Sequence, residues 1–301
     1  MNPHHIREAT DLVTPRAAII DGFLEQARMK TQEAVPFVDE AKRFMKALSG
    51  IKSERDLQKL LGDPTTRDAL ISAAGLSNKA RGHLSQDELD QAALNVLHQF
   101  FPAKRRDFKK EILYRYLLPR GDALGGKLRN IVGGIAEEKF AEFIVAALND
   151  QGIKPNLGTS RLNKVNRIEW PERLMLFNRT PRFISKNIDV IMLDLSHSYQ
   201  KEADLLETPE AFLACGELKG GIDPAGADEH WKTARSALNR IVESFEKIEM
   251  VPPHLFFIGA AIAKAMGEEI YGNLKNGKLA HAANLTQDAQ VQDLAKWIVS
   301  L

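Results

Sequence analysis

The run Gly216-Glu217-Leu218-Lys219-Gly220-Gly221 sets a carboxylate and an ammonium two residues apart, with two glycines directly after them. Side chains alternate between faces along a strand, so in an extended Phe212–Lys219 segment Glu217 and Lys219 share one face and Leu218 points the other way into a core. The glycines leave room for a backbone or ligand to approach. Asp189 lies 28 positions before Glu217, in a second apolar run. Two carboxylates on neighbouring strands can hold Mg²⁺, which takes hard oxygen ligands and keeps waters and phosphate oxygens as the rest. A metal held there lowers the pKa of a bound water and neutralises charge as a phosphodiester is attacked. Lys219 beside the phosphate would stabilise that charge or orient the water. Acid-x-lysine triplets are abundant and mostly sit on solvated strand faces. This one gains weight from its strand–strand–helix setting and its flanking sequence.

The elements that must carry these groups are legible from the apolar patterning. Asn187–Leu195 is dense in β-branched and large apolar residues, as a buried strand is, and Phe212–Lys219 reads as a second strand. Asp228–Ile248 reads as a helix with Trp231, Ala234, Ala237, Leu238, Ile241 and Phe245 along one face. Leu255–Ala260 is a third short strand, and the remainder reads as helical to the C-terminus. Upstream, residues 1 to about 150 are mostly helical. Pro36–Leu48, Glu54–Leu61 and Gln86–Phe101 carry apolar residues at three- and four-residue spacing, with Ser85 and Asp87 as candidate caps for the third. Gly62-Asp63-Pro64 and Gly75 to Gly82 read as breaks. Ile131–Leu148 reads as a long amphipathic helix that Gly152 to Pro155 ends. The pattern is α/β: a mainly helical lobe over residues 1–120, then a domain over 121–301 in which strands and helices alternate.

Composition bounds the function classes. The chain has 301 residues, 44% hydrophobic and 27% charged, ordinary values for a globular protein with one large or two smaller domains. No apolar run is long enough for a membrane span, and Met1 to Thr10 lacks the apolar core of a signal peptide. Cys215 is the sole cysteine, so no internal disulfide forms, which fits a cytoplasmic location. The net charge of +1 gives no bulk attraction to nucleic acid, so any DNA binding must come from local basic patches.

The longer run GELKGGIDPAGADEHWKTARSALNRI, residues 216 to 241, closely resembles the AvaI/BsoBI family of type II restriction endonucleases. The resemblance continues through Phe256 to Ile262 and His281 to Thr286, and upstream through Leu124 to Asn130 and Lys186 to Asp189, so it covers roughly residues 120 to 301. It implies a PD-(D/E)xK nuclease core with an attached helical lobe. It implies a Mg²⁺-dependent homodimer that cuts double-stranded DNA at a palindrome, which in the family is the degenerate C-Y-C-G-R-G. A DNA methyltransferase encoded nearby would be the functional partner. Asp189, Glu217 and Lys219 are then catalytic, with Asp189 and Glu217 as the metal ligands and His230 close by. Asn187-Ile188 stand where the superfamily often has proline. Asp194 competes with Asp189 but lies on the opposite face of a regular strand, and the family spacing favours Asp189.

Each remaining residue has a bland reading beside the functional one. His230 opens a helix and is either a surface histidine or, as the resemblance suggests, a general base near the metal-bound water. Asp223 either starts an Asp-Pro turn or accepts from a cytosine N4 amino group. Lys186 could meet a guanine edge or a phosphate. Glu137 and Glu138 form either a solvated helix face or part of a metal's surroundings. Gly121 to Lys127 has P-loop spacing, but Leu128 stands where Ser or Thr should bind Mg²⁺ and no strand precedes it, which excludes an ATPase. Lys127 and Arg129 are instead candidates for contacts to the DNA backbone. Lys104-Arg105-Arg106 with Lys109, Lys110, Tyr114 and Tyr116 is a candidate phosphate-contacting cluster or a solvated face. Cys215 reads as a small buried strand residue. A repair-type nuclease of the same fold and a DNA-binding module without catalysis stay open as alternatives.

Overall fold

The computed structural model describes residues 5–76, 79–100, 107–160, 163–196 and 201–301. They form two compact units. One comprises residues 1–25 and 130–301; the other comprises 26–129. The division therefore cuts the chain twice, and the first 25 residues belong with the sheet rather than with the helical lobe expected to begin at the N-terminus.

The helical unit holds most of α1 (Arg16–Ser49), then α2 (Pro64–Ala73), α3 (Gln86–Phe100) and the first half of α4 (Phe108–Asp150). Its core gathers Phe44, Leu48, Leu57, Leu70, Leu97, Ile112 and Tyr116. Two helices are longer than the apolar periodicity suggested. α1 begins at Arg16 and passes through Pro36; α4 runs unbroken through Pro119, Gly125 and Gly126. The segment expected as a helix over Glu54–Leu61 is a 3₁₀ run, Glu54–Gly62. Asp63 caps α2 by accepting from the Thr65 and Thr66 N–H groups. Ser85, not Asp87, caps α3: its N–H and hydroxyl both donate to Glu88, whose N–H donates back.

The other unit is built on a seven-stranded sheet in sequential order. The strands are β1 (Asn156–Thr159), β2 (Val165–Trp170), β3 (Arg173–Arg179), β4 (Ile188–Asp194), β5 (Phe212–Lys219), β6 (His254–Gly259) and β7 (His281–Asn284). β1 to β5 pair antiparallel, and β5, β6 and β7 pair parallel. Strands β1, β2 and β3 lie in a stretch to which the patterning assigned no element. β7 corrects the expectation that everything after β6 is helical. The short helix α5 (Glu202–Leu205) precedes β5; α6 (Pro224–Glu246) follows it, α7 (Lys264–Lys275) joins β6 to β7, and α8 (Asp288–Val299) follows β7.

Helices cover both faces. α6 and α7 pack on one through Trp231, Leu238, Phe245, Met266 and Ile270, against Ile191, Cys215 and Phe257. The second half of α4, with α8, covers the other through Phe140, Ile144, Leu294 and Ile298, against Val190, Ala214, Leu218 and Phe256. Gly216 shows how tight this layer is: a Cβ there would stand 2.1 to 2.5 Å from ring atoms of Phe256. That ring is fully buried and wedged against Phe140 and Trp297, so it has nowhere to go. Gly216→Ala is expected to destabilise the protein by about 1–3 kcal/mol through overpacking. Urea denaturation checks this; an unchanged midpoint would mean that the ring swings aside freely.

The N-terminal segment crosses the ends of the parallel strands. Thr14 accepts from the Ile262 N–H and donates to the Ala260 carbonyl, both at 2.8 Å. Asn284, fully buried, donates to the Leu12 carbonyl at 2.8 Å and to the Thr14 hydroxyl at 2.9 Å. Gln287 and Gln290 both donate to the Asp11 carbonyl. Since the Ala260 N–H donates to the Lys219 carbonyl, this strap is one hydrogen bond from the end of β5. Among the described residues, no helix is long and apolar enough to cross a membrane.

Candidate active site

Asp189 is the second residue of β4, and Glu217 and Lys219 close β5. The antiparallel register, Val190 opposite Gly216, brings the start of one strand to the end of the other and sets Asp189 across from Glu217. Ala214 and Leu218 face α4 while Cys215 faces α6, so alternation puts Glu217 and Lys219 on the α6 side. The Lys219 ammonium joins the carboxylates, donating to Asp189 Oδ2 at 2.8 Å and to Glu217 Oε2 at 2.7 Å. The Leu218 N–H donates to the same Asp189 oxygen at 2.9 Å, which pins that carboxylate to the strand carrying the other two groups. Asp194, the rival candidate, is at the far end of β4, paired with Arg173 at 3.3 Å and accepting from the Ser196 N–H.

Burial makes this a high-stakes arrangement. The Glu217 side chain is 4% exposed, and those of Asp189 and Lys219 are 19% exposed. Burial, then the negative charge of Asp189, push the Glu217 carboxyl up to about 7, and Lys219 offsets only part of that. Burial pulls the Lys219 ammonium down, but Asp189 and Glu217 outweigh it and hold its pKa above the ordinary lysine range. Two carboxylates this close, one of them short of positive charge, fit a divalent cation with hard oxygen ligands. Among the described residues no group of three or more His, Cys, Asp or Glu side chains is clustered for a metal. A cation here would therefore draw its remaining ligands from water and substrate.

The chain after Lys219 is shaped by close approach. A Cβ at Gly220 would meet Ala136 and the Val132 carbonyl of α4 at 2.7 and 2.9 Å. One at Gly221 would stand 2.9 Å from the His230 ring, which also lies over Gly226. α6 starts at Pro224 rather than Asp228, so His230 sits well inside the helix instead of opening it. It makes no hydrogen bond to the described residues, and its ring rests on the loop that leaves Lys219.

The whole sequence was compared with known proteins. It matches the family model described as Restriction endonuclease BsobI over residues 2–167 and 164–301. The chain belongs to this family. Type II restriction enzyme AvaI from Nostoc sp. is 38% identical over 316 residues, covering 99% of each chain, and so is AvaI from Anabaena variabilis. Type II restriction enzyme BsoBI from Geobacillus stearothermophilus is 35% identical over 319 residues, covering 99% of this chain and 98% of its own. Membership makes the chain a restriction endonuclease.

The other candidates of this endonuclease are placed as follows. Lys186 is exposed in the bend before β4, with no ion pair among the described residues. Asp223 caps α6, accepting from the Ala225 N–H at 2.9 Å, so the helix already employs it. Lys127 and Arg129 are exposed in the middle of α4, in the helical unit. Lys127 pairs with Glu33, and Arg129 folds back toward Gly125 and Gly126. Gly121 to Lys127 is continuous helix, with no phosphate-binding loop. Glu137 accepts from Asn178, a contact the sequence did not foretell, while Glu138 is exposed. Tyr116 is buried and bonded to Glu40, whereas Tyr114 is exposed. Lys109 donates to the Ser49 carbonyl and Lys110 pairs with Asp107. Lys104, Arg105 and Arg106 lie outside the described residues.

Proposed function

We propose that this protein is a Mg²⁺-dependent type II site-specific deoxyribonuclease with a PD-(D/E)xK core, which hydrolyses double-stranded DNA at a palindrome, C-Y-C-G-R-G. The carrying observation is the bonded trio of Asp189, Lys219 and Glu217, set where β4 begins and β5 ends, in a chain of a restriction endonuclease family. Asp189 and Glu217 would hold Mg²⁺, which supplies a water of lowered pKa and neutralises charge on the phosphate. Lys219 turns one of its N–H groups to the scissile phosphate and stabilises the charge that builds on its oxygens. His230, whose ring nitrogens have no hydrogen-bond partner among the described residues, orients the attacking water or takes its proton. The water oxygen bonds to phosphorus as the phosphorus–oxygen bond to the leaving sugar breaks.

Lys186, Asp223, Lys127 and Arg129 are proposed DNA contacts. Lys186 and Asp223 suit base edges of a G·C-rich site, and the α4 pair suits backbone phosphates. A palindrome has twofold symmetry, which a homodimer matches with one site per strand. The enzyme would act in the cytoplasm beside a methyltransferase that protects the host's own sites.

The test is digestion of phage DNA by the purified protein in Mg²⁺ and in EDTA, with the fragment ends sequenced. Discrete fragments in Mg²⁺ alone, ending within C-Y-C-G-R-G, are expected. Discrete fragments with other ends would replace the site; smears would indicate a structure-selective or nonspecific nuclease. Intact DNA with folded protein would leave a binding module as the better account.

A further inference from the structure

Asn178 is the residue of β3 that stands across from Asp189, because Phe177 pairs with Val190 and Arg179 with Ile188. Its φ of 54° is left-handed, inside β3 and at the level of the site, although the register of the pairing is kept on either side. Asparagine tolerates that conformation better than most residues, but it is uncommon and its location beside the carboxylates points to use. The Asn178 amide is engaged at both ends. Its Nδ2 donates to Glu137 Oε1 on α4 at 2.9 Å, and its Oδ1 accepts from Asn187 Nδ2 at 3.4 Å. Asn187 is the residue that leads into β4, two before Asp189.

The same stretch of α4 also presses on the other side of β4. Val132 and Ala136 crowd Gly220, directly after Lys219. α4 is thereby tied to β3 and to the end of β5, the two strands that flank the start of β4. It lies on the sheet face opposite the one bearing Glu217 and Lys219, so Glu137 acts from beneath the site and does not enter it.

We propose that Asn178, held by Glu137 and Asn187, is a positioning residue that sets the start of β4 so that Asp189 meets the Leu218 N–H and the Lys219 ammonium. The proposal rests on reading Asp189, Glu217 and Lys219 as the catalytic trio. Loss of a partner that orients a metal ligand typically costs about 10–100-fold in metal affinity or activity.

The test uses Asn178→Ala, Asn178→Gly, Glu137→Gln and Glu137→Ala in the full chain. Asn178→Gly keeps the left-handed backbone without strain, so it isolates the side chain. In metal-free protein, hydrogen exchange at the Leu218 amide reports its bond to Asp189. That exchange is expected to quicken at least about tenfold in Asn178→Ala, Asn178→Gly and Glu137→Ala, with half-saturating Mg²⁺ for cleavage rising about tenfold and KM for DNA unchanged. Glu137→Gln keeps the accepting oxygen and is expected to match wild type. Wild-type exchange and Mg²⁺ requirement in Asn178→Gly would overturn the proposal. So would loss of cleavage in Glu137→Gln with Leu218 exchange unchanged, since Glu137 would then be a direct participant. An Asp189→Asn control separates the two readings: full cleavage there removes the catalytic assignment, while Leu218 exchange still reports on positioning.

Discussion

Lys219→Met should abolish cleavage and, in the absence of metal, leave a protein whose stability falls steeply as pH rises. Among the described residues the ammonium is the only group bonded to both carboxylates, and Glu217 is almost fully buried. Removing charge stabilisation at the phosphate is worth about 10²–10³-fold in comparable sites, so single-turnover cleavage should drop at least that far. Breaking a buried ion pair by deleting one partner costs about 3–5 kcal/mol, and the partial exposure of Lys219 argues for the lower end. The pH dependence follows from Glu217. Its carboxyl titrates near 4.5 when unperturbed and at about 7 in the fold, and loss of Lys219 raises it further. Between those values the folded state binds more protons than the unfolded one, so stability declines with rising pH. The thermal midpoint in EDTA should therefore lie much closer to wild type at pH 5 than at pH 8.5. Adding Glu217→Gln should recover most of the loss at pH 8.5. Equal deficits at both pH values, or no recovery in the double variant, would show that the carboxylate pair is not the source.

Asn284→Ala should be strongly destabilising although the residue lies outside the site. Asn284 is fully buried, and each end of its amide is used: Nδ2 donates to Leu12 and Thr14, and Oδ1 accepts from the Thr286 N–H and hydroxyl. Alanine strands the Leu12 carbonyl away from water and takes the acceptor from the half-buried Thr286 donors, and each unsatisfied buried group costs about 1–3 kcal/mol. A loss of roughly 3 kcal/mol overall is expected, or about 5 °C in Tm at this chain length. Because the strap reaches Ala260, which bonds to Lys219, protease sensitivity should appear first at the N-terminal segment and cleavage should fall with it. Thr14→Val, which removes the bonds to Ala260 and Ile262 and keeps the shape, should reproduce part of the effect. Asn284→Ala with wild-type Tm would refute the idea that this network holds the strap.

The trio was legible in the sequence because strand alternation is a local rule: Glu217, Leu218 and Lys219 declare their faces by spacing alone. Choosing Asp189 over Asp194 needed the family resemblance as well as the alternation. β3 was missed because Leu174 to Phe177 is buried on both faces, and a short continuous apolar run looks the same in a strand or a buried helix. β7 is four residues, two of them alanine, held as a strand by pairing to β6 rather than by propensity. α1 and α4 outran their apolar signatures for the opposite reason. Pro36, Pro119 and the Gly125-Gly126 pair are poor helix residues by type, yet each sits inside a long helix whose neighbouring turns carry it through. Asp223 read as the start of an Asp-Pro turn, and its place as the cap of α6 went unread because the helix was expected to begin at Asp228. The Glu137–Asn178 contact was not, since it joins residues 41 apart that only the packing of α4 on the sheet brings together.

Cys215 gives this endonuclease a built-in clock. It is the sole thiol, fully buried on the face of β5 toward α6, and burial together with Glu217 pushes its pKa far above the ordinary thiol range. A protonated, enclosed sulfur reacts with neither oxidants nor alkylating reagents. Modification can therefore occur only in molecules whose sheet has opened beside Asp189 and Glu217. The rate at which a thiol reagent labels the protein under native conditions measures that opening, with no engineered probe and no substrate.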